Sequence, residues 1–236
     1  MRRRRHPLGR ILFLLLLIAG IGLAFRQGLV PVRYSPLPAL DLDSPWGLLV
    51  DWQLAELRRD GELCSRVLVP PHIEAVAIRD NPLKKGCGWT NSVRVSSVGD
   101  AKLPVDTLSC QAAAALALWM THEVQPLAQS MLGQRVASVQ HMGTYSCRNI
   151  IGNPFWKDMR SEHATANAID ISGFKLENGQ SLSVLKDWRG DGREAAFLRA
   201  VHKGACRYFR VALGPDFNRA HRDHFHFDRG ILSTCR

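Results

Sequence analysis

The chain has 236 residues, enough for one good-sized domain with appendages. Apolar residues make up 46% of it, which excludes a disordered chain. Residues 1–25 hold five arginines and no acid, half of the formal net charge of +10, so the rest carries only +5. No basic cluster with interleaved aromatics occurs, and no nucleic-acid partner is expected.

The chain opens with "MRRRRHPLGR" and an uncharged run, Ile11 to Phe25. The pattern reads as a signal anchor or a signal peptide over 1–25, with a candidate cleavage site after Ala24. Arginines before the run would hold that end in the cytoplasm and send the rest out of it. Pro31, Pro36, Pro38 and Pro45 predict an extended linker over 26–45, with the domain spanning 46–236. All six cysteines, Cys64, Cys87, Cys110, Cys147, Cys206 and Cys235, come after the apolar run. An even count in an exported chain predicts three disulfides among 15 pairings.

Within the domain, residues 51–63 predict a short helix that stops near Gly61. "HIEAVAIR" and "SVRVSSV" alternate as strands. The clearest helix covers 109–132, capped by Ser109 and kinked or divided at Pro126. "RVASVQHMGTYSCR" reads as a strand. Asn178-Gly179 predicts a hairpin inside residues 168–185. A second amphipathic helix covers 193–206, and "YFRVALG" and "HFHFD" predict closing strands. The order is α+β, with an antiparallel sheet in the second half.

The chemistry concentrates late. On a strand, His224 and His226 would share one face while Phe225 and Phe227 enter the core. That pair is either half of a metal site or two solvent-facing imidazoles. Asp170 sits inside the apolar "AIDISGF", where a lone charge is costly unless paired or ligated. A salt bridge or a strand-end cap would account for it. A metal would account for Asp170 and His163 together: with one histidine of the pair they supply two nitrogens and one oxygen, leaving one tetrahedral position free. "WRGDGREAAF" lacks the spacing of a calcium loop. Trp156 and Trp188 are candidate cleft walls or core residues.

"SEHATANAID" followed by "DHFH" resembles the LAS metallopeptidases: lysostaphin-type endopeptidases, VanY- and VanX-type D-alanyl-D-alanine peptidases and the murein endopeptidase MepA. Ser161, His163, Ala168 and Asp170 fit the pattern Ser-x-His-x-x-Gly-x-Ala-x-Asp; Ala166 stands where the pattern has Gly. "TYSCR", "SEHATANAIDISGF", "FLRAVHKGACRYF" and "LGPDFNRAHRDHFHFD", a motif core over 110–228, resemble the bacterial extensin-like C-terminal domain. The resemblance implies an LAS/Hedgehog-like fold with a central antiparallel sheet. It implies Zn2+ held by His163, Asp170 and His226. His224, then His221, then Asp223 are the candidates for handling protons. Arg148 would hold a substrate carboxylate or make a structural ion pair.

The expected activity is zinc-dependent hydrolysis of peptidoglycan stem peptides or cross-links, by a periplasmic domain anchored to the bacterial inner membrane. A wall-binding protein with a structural zinc, or a zinc hydrolase acting on another amide or ester, are the alternatives.

Overall fold

The structure, a computed structural model, describes residues 7–236. The four consecutive arginines, Arg2 to Arg5, lie outside the described residues, as does the orientation inferred from them. In chain order the elements begin with α1 (Pro7–Arg26), α2 (Val50–Glu56) and α3 (Gly61–Val67). Five strands come next: β1 (Ile73–Ala77), β2 (Asn81–Lys84), β3 (Cys87–Trp89), β4 (Ser92–Val98) and β5 (Ala101–Ser109). Then come α4 (Cys110–Trp119), a π turn over Met120–Val124, α5 (Gln125–Leu132) and β6 (Val136–Gly143). After a long loop and a 3-10 turn over Glu162–Thr165 the chain forms β7 (Ala168–Leu176), β8 (Ser181–Ser183), α6 (Val184–Asp187) and α7 (Arg193–Ala205). It ends with β9 (Val211–Leu213), β10 (Phe225–Asp228) and β11 (Thr234–Cys235).

The class is α+β, as expected, but the sheet is mixed rather than purely antiparallel. Its nine strands run β1-β4-β5-β6-β7-β10-β9-β11, with β8 beside β7. The β5–β6 and β9–β11 pairs are parallel; the others in this sheet are antiparallel.

α4 fills the core. Every residue from Cys110 to Trp119 is buried. Ser109 caps it as predicted, its Oγ accepting from the Ala112 N–H at 3.3 Å. Trp119 is fully buried, and its Nε1 donates to Val201 O at 2.8 Å, tying α4 to α7. Pro126 does not end the helix. The π turn widens it one turn earlier, with Gln125 N donating to Met120 O, and Pro126 then falls in the first turn of α5, where no N–H is needed.

Three other expectations need correction. Gly61 starts a helix instead of ending one: Asp60 caps α3, its carboxylate accepting from Leu63 N at 2.8 Å. The strand expected over 135–148 stops at Gly143, so "TYSCR" lies in the loop. Residues 26–45 do not stand off as a free spacer. Leu40 and Leu42 are in the core, the His122 ring bonds Leu42 O at 2.9 Å, and Gln53 donates to Pro38 O at 3.0 Å.

The hairpin at Asn178-Gly179 forms. Leu176 and Gln180 close it through Leu176 N to Gln180 O at 2.8 Å, and Gly179 takes φ +88, a conformation that glycine adopts freely. The cysteines pair as Cys64–Cys110, Cys87–Cys147 and Cys206–Cys235. Three disulfides fit an oxidising compartment. α1 is long and apolar enough to cross a membrane, and its apolar side chains are exposed.

Candidate metal centre

β7 and β10 build the centre by register. Asp170 lies directly opposite His226, while Ile171 faces Phe225 and Ile169 faces Phe227. Alternation then separates the two faces. Ile169, Ile171, Phe225 and Phe227 are fully buried in the core, and Asp170 and His226 share the other face. His224, just before β10, joins them, its Nε2 3.6 Å from Asp170 Oδ1.

His163 arrives on the 3-10 turn. Ser161 caps that turn by accepting from His163 N at 3.4 Å, and Ala166 closes it in the left-handed region at φ +52. Glycine reaches that region freely and alanine at a cost of about 1 kcal/mol. A glycine in place of Ala166 would avoid that cost. Asn167 anchors the turn at the start of β7. Its Oδ1 accepts from Ser109 Oγ at 2.6 Å and from Gln111 Nε2 at 2.9 Å, and its Nδ2 donates to Glu162 Oε2 at 2.7 Å.

Three donor atoms converge. His163 Nε2, Asp170 Oδ1 and His226 Nδ1 are 3.0–3.1 Å from one another. The outer nitrogens set the tautomers. His163 Nδ1 lies 3.1 Å from Thr144 O, which can only accept, so Nδ1 carries the proton. His226 Nε2 lies 3.0 Å from Asp228 Oδ2, so Nε2 carries the proton. In the neutral imidazoles both inner nitrogens therefore point lone pairs at a carboxylate oxygen. Such a set needs a cation at its centre, or an added proton.

The residues present fit a divalent metal. Two imidazole nitrogens and one carboxylate oxygen are a donor set that several first-row divalent ions accept, and ligands ~2.0–2.1 Å from a tetrahedral ion lie ~3.3 Å apart. A proton instead leaves its mark on the acid–base balance. Burial alone would lower the His226 pKa, but hydrogen bonds to Asp170 and Asp228 push it up to about 9. Burial alone would raise that of Asp170, but hydrogen bonds from His163 and His226 hold it well below the usual carboxylate range.

The other predicted residues gather around this centre. Asp223 Oδ1 accepts from His224 Nδ1 at 2.9 Å, so Asp223 orients His224. His221 Nδ1 lies 2.8 Å from Asn218 Oδ1, which also accepts from Ala220 N. This leaves His221 Nε2 as the unprotonated atom. Burial, then the charges of His226 and His224, push the His221 pKa down to about 4. A cleft of about 390 Å3 adjoins the centre, and Arg148, Trp156, Glu162, His221, His226 and Asp228 are among its walls. Arg148 makes no ion pair among the described residues. Trp156 is a wall, as one of its two readings had it. Trp188 is core: it is buried, packs edge-on against Phe225 and donates to Asp216 Oδ2 at 3.0 Å. Cys87–Cys147 fastens the residue before Arg148 to β3.

Sequence reasoning leaves two carboxyls without a site. Asp228 has no role there beyond closing "HFHFD", and in the structure it orients ligand candidate His226. Glu162 goes unnoticed beside His163. Burial, then repulsion from Asp228, raises its pKa. Its only sequence signal is adjacency to the histidine.

The family described as Extensin-like protein C-terminus matches residues 62–236. No curated protein and no solved structure matches the chain. The matched span holds the whole sheet, the disulfides and every residue of the centre, and the chain belongs to the extensin-like C-terminal family.

Proposed function

We propose that the protein is a zinc-dependent peptidase that hydrolyses peptide bonds in the stems or cross-links of peptidoglycan, on a fold related to that of the LAS metallopeptidases. The observation that carries this reading is the convergence of two tautomer-fixed imidazole lone pairs and one carboxylate oxygen. Bound there, zinc would polarise a carbonyl and lower the pKa of water towards ~7. The chain's own groups do the rest. His224, oriented by Asp223, moves the proton, and His221 Nε2 is a second acceptor on the cleft side. Arg148 offers its guanidinium to a substrate carboxylate. A structural zinc would need none of these four residues, which favours an enzyme over a wall-binding scaffold.

The compartment supports the substrate. An apolar N-terminal helix and three disulfides suit a domain exported to the periplasm and held at the bacterial inner membrane, beside that polymer.

The test is digestion of purified sacculi by the full chain, with and without a chelator, with products read by mass spectrometry. Chelator-sensitive release of peptide fragments is expected. His163→Ala removes zinc and activity together; His224→Ala keeps the zinc and lowers turnover by roughly 10²–10⁴-fold. No cleavage by metal-loaded protein overturns the peptidase. Equal zinc loss in both variants overturns the division of roles between His163 and His224.

A further inference from the structure

The segment that follows α1 carries exposed apolar and aromatic side chains. Leu48 is 89% exposed and Tyr34 67%, and Leu29, Trp46, Leu49 and Trp52 are exposed as well. None of these belongs to the metal centre, and all lie outside the span that defines the family.

The end of α1 is clamped beside them. The Phe25 and Trp52 rings lie 6.4 Å apart, and Arg26 Nε is 3.8 Å from Asp51 Oδ2. Arg210 donates to the backbone carbonyl of Arg26. Gly28 takes φ +61 and turns the chain onto α2. A Cβ there would stand 2.1 Å from Ala55 O, so only glycine allows the approach. Asp51 is also bonded by Arg210 at 2.9 Å and by Arg229 at 2.9 Å, and Arg210 reaches Gly230 O, on the cleft wall, at 3.1 Å. One ion cluster therefore joins the helix end, α2 and the cleft. A free chain over residues 26–45 would let the domain range ~60 Å from the bilayer; this joint does not.

We propose that Leu29, Tyr34, Trp46, Leu48, Leu49 and Trp52 form a collar that seats the domain in the interfacial layer of the bilayer crossed by α1. The proposal rests on reading α1 as a retained span. Trp and Tyr favour that layer because their rings are apolar at one end and polar at the other. Arg33, stacked on Tyr34 at 4.7 Å, brings a cation to the level of anionic headgroups. Continuity with the helix end decides the occupant: a lipid surface already surrounds the place where the collar begins. The cleft then acts on peptides close to the membrane, not on those deep in the wall.

The six tryptophans all lie after α1, so their fluorescence reports the domain alone. The full chain is reconstituted in phosphatidylethanolamine–phosphatidylglycerol vesicles with and without brominated acyl chains. Bromine quenching is expected in the wild type, and it falls to near zero in a Trp46→Phe/Trp52→Phe variant. Leu48→Glu/Leu49→Glu, at positions with no buried role, weakens quenching at unchanged circular dichroism. Absent quenching overturns the collar, as does covalent capture of a second copy at these residues. Undiminished quenching in the double tryptophan variant overturns it too, by placing the contact elsewhere. The mass of the chain from native membranes separates the two readings. A chain beginning after Ala24 overturns the retained span and the collar with it; an intact chain without quenching overturns the collar alone.

Discussion

β4 and β5 bury Val93, Val95, Leu103 and Val105 on one face and show Arg94 and Asp106 to solvent on the other, 3.5 Å apart. β7 and β10, in the same sheet, bury Ile169, Ile171, Phe225 and Phe227, and their other face carries Asp170 and His226. The alternation is the same and the consequence is not. An exposed pair such as Arg94–Asp106 contributes little, and either partner can be lost to water. The Asp170 side chain is only 14% exposed and cannot be left alone. One half of the sheet is framework. In the other half, pleat and register are used to assemble polar atoms where water cannot satisfy them.

Substitutions should therefore differ in kind between the halves. Asp170→Asn is expected to bring metal content to background and peptide release down by roughly 10³-fold or more, with the melting temperature close to that of the metal-free wild type. Leu103→Ala should do the reverse. It costs about 2–5 kcal/mol of stability and leaves metal content and turnover per folded molecule unchanged. Paired calorimetry, metal analysis and sacculus digestion check both, and a folded Leu103→Ala protein that has lost its metal would break the contrast. Asp228→Asn sharpens it at smaller scale. Metal affinity should fall about 10–100-fold in a competition titration, because the carboxylate that fixes the His226 tautomer is gone. The smallest effect belongs to Ala166→Gly. Relief of the left-handed alanine should raise stability by about 0.5–1 kcal/mol in urea unfolding, with metal content unchanged.

The sequence reveals elements whose cause is local. Ser109 caps α4 and Asn178-Gly179 makes a hairpin because neighbours in the chain suffice to specify both. Period-2 alternation is enough to send Phe225 and Phe227 to one face and His226 to the other. What stays hidden depends on partners far along the chain. β5 is not legible as a strand because Pro104 interrupts it. Pro104 is tolerated because it falls at an irregularity opposite β4, between the Val95–Val105 and Ser97–Lys102 pairs. Gly61 reads as a stop because glycine ends helices more often than it comes after an Asp cap. Asp228 bonds a ring only two residues away on its own face of the strand, whereas the cysteine pairing is a tertiary fact. The same holds for residues 26–45, whose prolines suggest a spacer while Leu40 and Leu42 reach the core.

The Cys87–Cys147 bond gives the centre a timetable. β7 and β10 can pair, and His163, Asp170 and His226 can meet, in a chain whose thiols are still reduced. The loop that presents Arg148 meets β3 through the Trp89–Tyr145 edge contact at 4.9 Å, and gains its covalent tie there only on oxidation. With the thiols reduced, the three ligand candidates can therefore meet while the cleft wall beside them lacks its covalent tie. Oxidation closes a loop of 60 residues and lowers the entropy of the unfolded chain by the equivalent of roughly 4 kcal/mol.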